Sequence, residues 1–355
     1  MEFIKPDVNI NFVGRRKFAF AISLGLIIIG MVALVYRGNS LYGIDFAGGT
    51  VIQVRFKNPT EVKKIRQGLK PLGLENSAIQ RFGGEGEHVY LVRTDISTAE
   101  LGNLSKKVED SLEKVYGPKG AEVERVEMVG PKVGKDLRQK ALLAIYYAIL
   151  FIAIYISGRF ELKWMPALIM AGALVLGVYL LRAAGVSIPM LIVAALVITL
   201  ACCWLLRLQF ALGAVTALIH DVLITVGAFA IANKEFNLTV VAAVLTIIGY
   251  SLNDTIIVFD RIRENQRKSK KQDFAELINS SINQTLSRTI LTSGTTLIVI
   301  TALFILGGGV IHDFAFALLV GVVVGTYSSI FVASPILLAW EARFAGPRGR
   351  AKGKR

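Results

Sequence analysis

Cysteine and histidine are nearly missing. The two cysteines, Cys202 and Cys203, are chain neighbours inside an apolar run, so they cannot form an ordinary structural disulfide, and the three histidines are scattered. A disulfide-stapled domain and a metal centre are therefore not expected. No nucleotide-binding loop occurs, so no cofactor is expected and energy must arrive as an ion gradient or from a partner. A cleavable leader is not expected either: the first apolar run is long, and no small-x-small site follows it before the polar region. Acidic residues are outnumbered, 26 against 40 basic ones, which leaves a net charge of +14.

What is abundant is hydrocarbon. The 355 residues are 54% hydrophobic, with a mean hydropathy of +0.56. Eight runs approach or exceed the roughly 20 residues that cross a bilayer core. They are Phe18–Tyr36, Ala141–Ser157, Met165–Leu181, Ile188–Leu206, Phe210–Ala232, Leu238–Phe259, Ile290–Leu306 and Phe314–Trp340. The fold class expected is a polytopic α-helical membrane protein of about eight transmembrane helices. The basic excess in a soluble chain would suggest nucleic acid, but here the membrane accounts for it better. Lys5, Arg15, Arg16 and Lys17 precede the first run, seven Lys/Arg lie between Arg261 and Arg288, and six more lie in the tail "RFAGPRGRAKGKR". The loops of the other side hold little beyond Arg182, Lys234 balanced by Glu235, and His312–Asp313. The positive-inside rule then predicts two cytoplasmic termini, residues 1–17 and a basic tail over 341–355, and a tail that favours membrane lipids over any specific nucleic acid.

Between the first two runs, residues 37–140 form a polar stretch long enough to be a domain outside the cytoplasm. The alternating "GTVIQVRF", then "SAIQRF", "HVYLVRT" and "AEVERVEMV", read as strands, with a hairpin turn at Gly83–Gly86. Asn58 with Pro59 predicts the start of one helix, and the Ser97/Glu100 spacing predicts a capping box for another ending near Tyr116–Gly117. That βαββαβ order predicts an α+β ferredoxin-like domain. Within 261–289, Phe274, Leu277, Ile278, Ile282 and Leu286 recur at helical spacing, which predicts an amphipathic helix, interfacial or packed beneath the bundle.

Ionisable groups deep in apolar runs mark function by default, because a charge there is costly. Asp254 lies inside its run, shortly before Asp260 and Arg261 and roughly 10 Å from its cytoplasmic end. Tyr250 is one turn earlier on the same face and Asn253 is adjacent. Arg288 opens the following run in "SRTILTSGTT", where it can pair with an ionised Asp254 and part from a protonated one, a two-state element biased by protons. His220 and Asp221 sit halfway along the preceding run, as supporting groups or as a structural pair. Asp260 and Arg261 read chiefly as the membrane boundary. Gly213, Gly249 and Gly294 are expected to allow close helix packing. In "YGIDFAGGT", Gly43, Asp45, Gly48 and Gly49 predict a sharp turn into the outer domain, with positive φ at Gly48 and Gly49 and Asp45 bonded to nearby amides.

The segments "YGIDFAGGT", "VGPKVGKDLRQKA", "ALIHDVLIT", "EFNLTVVAAVLTIIGYSLNDTIIVFDRIREN" and "SRTILTSGTT" together resemble the SecF subunits of the bacterial protein-export apparatus, of the resistance-nodulation-division type. The resemblance runs from Leu41 to about Ala333. It implies a SecD-like partner completing a pseudo-symmetric bundle, and use of the proton gradient to help unfolded secreted polypeptides leave the SecYEG translocon. It also implies a location in the bacterial cytoplasmic membrane and a transport rather than enzymatic role. The family's proton-relay aspartate falls on Asp254 and its arginine on Arg288. Such subunits ordinarily have six spans, so residues 158–207 read as an extra hairpin between the span at 141–157 and the pairs at 208–260 and 290–340. Two other readings follow from the residues. One is a stand-alone proton-driven exporter of lipid or small molecules; the other is an intramembrane aspartyl protease built on Asp221 and Asp254.

Overall fold

The computed structural model describes residues 8–82, 86–94, 103–161, 164–269 and 272–344. The hairpin turn at Gly83–Gly86 and the Ser97/Glu100 capping box lie wholly or largely outside these residues. Among them, seven helices are long and apolar enough to cross a membrane. The eighth expected span is the shorter apolar helix within α7 (Ile188–Leu205), whose 18 residues cover about 27 Å, just under a bilayer core. The other membrane helices are α1 (Arg16–Arg37), α5 (Pro131–Glu161), α6 (Trp164–Ala183), α8 (Gln209–Ile231), α9 (Leu238–Lys268), α10 (Phe274–Leu306), and α11 (Gly309–Ser328) continued through a π turn at Ser329–Ala333 into α12 (Ser334–Phe344). The centre belongs to α8 and α9, whose most apolar windows are 61% and 56% buried, whereas α1 and α10 are peripheral at 17%.

Glycines set two of the closest approaches. A Cβ on Gly227 of α8 would lie 2.8 Å from the Cα of Gly30 on α1, so these backbones touch. A Cβ on Gly213 would meet the Ala333 carbonyl at 3.0 Å, as expected of that position, but Gly249 and Gly294 face open space. The apolar run around those two glycines does not reveal which face meets a neighbour.

The outer domain matches its predicted order. Strands β1 (Gly49–Phe56), β2 (Ala78–Phe82), β3 (Val89–Thr94) and β4 (Ala121–Val129) form one antiparallel sheet ordered β2-β3-β1-β4. Helices α3 (Val62–Leu69) and α4 (Leu104–Tyr116) complete the ferredoxin-like sandwich. Ile52, Val54 and Phe56 of β1 alternate inward onto Ile65, Leu69 and Leu112 of the helices, the period-two pattern the sequence displays. The first helix starts at Val62, after Glu61, rather than at Pro59. Thr60 is drawn elsewhere: its hydroxyl bonds Tyr116 at 2.6 Å and its carbonyl accepts from Tyr90 at 2.6 Å.

The loop expected over 261–289 is mostly helix. α9 continues to Lys268, and α10 begins at Phe274 and runs unbroken for 33 residues, about 50 Å. No glycine or proline separates 274 from 290, so the predicted amphipathic segment is simply the start of a spanning helix, with Leu277, Ile278, Ile282 and Leu286 buried. The chain before α1 is strapped to this segment. Asn283 both accepts from the Ile10 N–H and donates to the Ile10 carbonyl at 2.9 Å, and Asn279 accepts from Phe12 and Val13.

The hairpin α6–α7 leaves and re-enters the bundle at one point. The Glu161 carboxylate, the last residue of α5, accepts from the backbone N–H of Phe210 at the start of α8 at 2.9 Å. Within the hairpin Cys203 lies 3.8 Å from Met170, and Trp204 packs edge-on against Trp340. The main bundle therefore closes without the excursion. Deleting residues 162–208 and joining Glu161 to Gln209 is expected to leave a folded, membrane-inserted protein whose melting temperature in detergent stays within a few degrees of the parent. Thermal unfolding in detergent checks this, and failure to accumulate in the membrane would show the hairpin to be integral.

Candidate functional site

Two buried polar clusters occupy the bundle, and they differ in how completely they are satisfied. The first surrounds Asp221 on α8, which is 1% exposed. Its Oδ2 accepts from Ser251 of α9 at 2.6 Å and from Ser328 of α11 at 2.8 Å. Its Oδ1 lies 2.8 Å from His220 Nδ1, and His220 Nε2 lies 3.0 Å from Ser23 of α1. Tyr327 donates to the Ala19 carbonyl at 2.7 Å and contacts Ser23 at 3.2 Å.

Since the Tyr327 hydroxyl is spent on Ala19, Ser23 donates to Tyr327 and accepts from a protonated Nε2 of His220. A single proton then lies between Nδ1 and Oδ1. Whether drawn as imidazolium with carboxylate or as imidazole with acid, the pair has no net charge and every polar atom has a partner. Such a unit joins α1, α8, α9 and α11 and leaves no polar atom of the pair without a partner in the dry interior. This geometry fits the structural-pair reading of His220 and Asp221, a scaffold among four helices.

The second cluster lies one turn further along α9. Asp254 is 1% exposed, and its Oδ2 accepts from Ser293 of α10 at 3.2 Å. Ser293 in turn accepts from Thr326 of α11 at 2.7 Å. The other carboxylate oxygen, Oδ1, is buried with no partner at all, and so is the hydroxyl of Thr289 beside it in sequence to Arg288. Arg288 itself is exposed on α10, close enough to act electrostatically on Asp254 but making no hydrogen bond to it. With Gln284, Ser287, Leu291, Thr292 and Thr295 it lines an open groove of about 510 Å³. In contrast to the first cluster, this one is incomplete among the described residues: an acid with an unbonded oxygen, and a nearby cation that acts on it only through space.

The remaining predicted residues divide clearly. Tyr250 bonds α10 through the Thr292 carbonyl at 3.2 Å and Thr296 at 3.1 Å, so it braces the same helix pair. Asn253 is exposed and lies outside the Asp254 cluster. Asp260 pairs with Arg159 at 2.8 Å and Arg261 with Glu264 at 3.0 Å, both at the surface of one end of the bundle. No group of His, Cys, Asp and Glu able to hold a metal occurs among the described residues.

Gly48 and Gly49 take φ of +77° and +113°, as the turn requires. Asp45 departs from expectation: it bonds not a nearby amide but the N–H of Leu238, 193 positions away, at 2.9 Å. Sequence reading also missed the contacts that seat the outer domain on the bundle. Arg93 meets Glu235 at 3.4 Å and Gln80 donates to the Asn233 carbonyl at 3.2 Å, while within the bundle the adjacent Lys234 pairs with Asp313 of α11 at 2.5 Å. Burial pushes the Glu235 pKa up, while Arg93 and Arg37 pull it down. Charged residues at short polar loops were the visible signal; which of them meet is decided by packing.

Comparison with known proteins bears on the family and the fold. The family model "Protein export membrane protein SecD/SecF, C-terminal" matches residues 107–199 and 180–343, and the "SecD/SecF GG Motif" matches 42–60. The junction of the two longer matches falls inside the hairpin. The chain is 44% identical over 342 residues to the protein translocase subunit SecF of Magnetococcus marinus, covering 96% of this chain and 95% of that one. It is 40% identical to the SecF of Vibrio alginolyticus, covering 95% of this chain and 91% of the other. A crystal structure of SecDF, a translocon-associated membrane protein from Thermus thermophilus, superposes with a TM-score of 0.71 at 32% identity, covering 96% of this chain and 40% of that one. This chain thus spans less than half of that larger protein. With the GG-motif turn, the outer ferredoxin-like domain and the helical bundle all matched, the chain belongs to the SecF family of protein translocase subunits.

Proposed function

We propose that this chain is the proton-responsive half of an accessory unit of the Sec machinery, acting with a SecD-like subunit in the bacterial cytoplasmic membrane. The observation that carries the reading is Asp254: a wholly buried carboxyl with one oxygen unpartnered, at the α9–α10 contact, beside an Arg288 that no carboxylate engages. Protonated, the acid stays in the bundle and Arg288 remains in its groove. Ionised, it draws Arg288 inward, because a charge in hydrocarbon needs a counter-charge. Alternation between these states shifts α10 against α9, and the proton gradient gives the alternation a direction.

The rest of the reading follows from topology. The basic chain before α1 and the start of α10 share one end of the bundle, which the positive-inside rule places in the cytoplasm with both termini. The domain of β1–β4 then faces the outside, where an unfolded polypeptide leaves the SecYEG channel. Peripheral α10, with its groove and its exposed Ile290, Ile298 and Val299, is the surface a SecD-like subunit covers, with lipid around the remainder. An uncovered polar face on a spanning helix argues for a half-unit and against a stand-alone exporter. The protease reading fails on geometry, since Asp221 and Asp254 lie in separate clusters and Asp221 has no free oxygen. The activity is transport, not catalysis. The test uses vesicles holding the complete complex: precursor export should rise when an inward proton gradient is imposed and fall to the ungraded rate when an ionophore collapses it. Export indifferent to the gradient would overturn the proposal.

A further inference from the structure

Asp45 lies at the far end of the molecule from the proposed relay, yet it bonds the helix that carries the relay acid. Its Oδ2 accepts from the backbone N–H of Leu238, the first residue of α9, at 2.9 Å. The first N–H groups of a helix have no partner within it, and Asn237 takes a second one by accepting from Val240 at 2.9 Å. The chain leading into α9 is also stitched by its backbone to the chain leaving α1. Gly43 donates to the Phe236 carbonyl at 3.0 Å, Phe236 donates to the Leu41 carbonyl at 2.7 Å, and Tyr42 pairs with Phe236 as a parallel bridge.

The same turn is locked to the outer domain. Gly48 sits so close to Pro131, the first residue of α5, that a Cβ there would lie 2.8 Å from its Cα, and a Cβ on Gly134 would lie 3.0 Å from the Gly48 nitrogen. β1 begins at Gly49, and β4 ends at Val129, two residues before α5. Residues 41–49 are therefore the knot where α1, β1, α5 and α9 meet. Asp45 is its side-chain tie to α9.

We infer that Asp45 is a positioning residue that transmits displacement of α9 to the outer domain, so that a proton event at Asp254 is felt at the base of β1. This rests on the relay reading of Asp254. The physical ground is rigidity: Asp254 lies 16 residues below Leu238, about 24 Å along one unbroken helix, which shifts and turns as a unit. The β1 strand is attached two covalent steps beyond the turn that Asp45 closes. Loss of the tie leaves only the backbone bonds of residues 41–43 to Phe236, which precedes the helix, so α9 itself moves with a weaker pull on the domain.

The experiment places the full chain and its SecD-like partner, with the translocon, in vesicles. A trapped pH-sensitive dye reads proton entry, and protease protection of a precursor reads export. Asp45→Ala is expected to leave proton entry within about twofold of the parent while export falls about fivefold, the scale of losing one helix-capping bond. Asp45→Asn, whose amide oxygen still accepts from Leu238, is expected to export like the parent. Export unchanged in Asp45→Ala would overturn the inference. So would joint loss of proton entry and export, which marks a merely structural residue, or an Asn variant as impaired as the Ala one. A parent that admits no protons overturns the relay reading itself, and this inference with it, an outcome distinct from the other three.

Discussion

Asp254→Asn is expected to abolish gradient-driven export while the protein still folds and inserts. Asparagine has the shape of aspartate and its amide oxygen still accepts from Ser293, so the α9–α10 contact survives. What disappears is the only group in that cluster able to alternate between a neutral and a charged form. Packing is spared because the unpartnered Oδ1 made no bond to lose. Leaving a carboxylate uncompensated in hydrocarbon costs several kcal/mol, about the scale needed to drive a helix between two positions, and an amide supplies none of it. The gradient-dependent part of export should therefore fall by at least about a hundredfold, with thermal unfolding in detergent unchanged or slightly raised. Arg288→Gln should produce the same loss by removing the partner of the charged form. Export by Asp254→Asn that still responds to the gradient would mean that the acid is only structural.

The opposite pattern is expected at Asp221. Asp221→Ala removes the acceptor of Ser251, Ser328 and His220 at once, and the three stranded groups sit on α9, α11 and α8 in a dry interior. Removing one member of such a buried, charge-assisted set costs about 3–5 kcal/mol. The variant should melt far lower in detergent and accumulate poorly in the membrane. Asp221→Asn keeps an acceptor for the two serines and should cost only about 1–2 kcal/mol, with export normal once the protein is in the membrane. A stable Asp221→Asn protein that fails to export would falsify the scaffold assignment and move His220 and Asp221 into the relay.

The contrast between these two acids was only half visible in the chain. Both stand out because an ionisable residue inside an apolar run is rare and costly. Nothing local separates them. Asp221 is bonded by Ser251 and Ser328, 30 and 107 positions away, and its partner His220 by Ser23, 197 positions away, whereas serines in membrane helices commonly bond their own backbone instead. Asp254 stays unbalanced because α10 presents one serine to it and turns Arg288 outward. The Asp45 tie was hidden in the same way, since a turn rich in glycine suggests local bonds and its partner is 193 positions off. The segment over 261–289, read as a loop holding an amphipathic helix, merges with the neighbouring spans for another reason. Its charges suggested a break between spans, but a charged surface does not stop a helix, and without glycine or proline α10 runs unbroken from Phe274.

The chain by itself determined that several helices are long and apolar enough to cross a membrane, the βαββαβ succession of the polar domain, and that few acids lie within the bundle; it placed the end of that domain at 140, whereas α5 already begins at Pro131. Each of these rests on hydrophobic length or periodicity, which act between residues close in the sequence. Tertiary structure alone decided which glycines let backbones touch, which acid is satisfied and which is not, and that the turn at Asp45 grips α9. Those outcomes depend on which helix faces which, and in hydrocarbon every apolar face is equally content until side chains from distant parts of the chain are brought into contact.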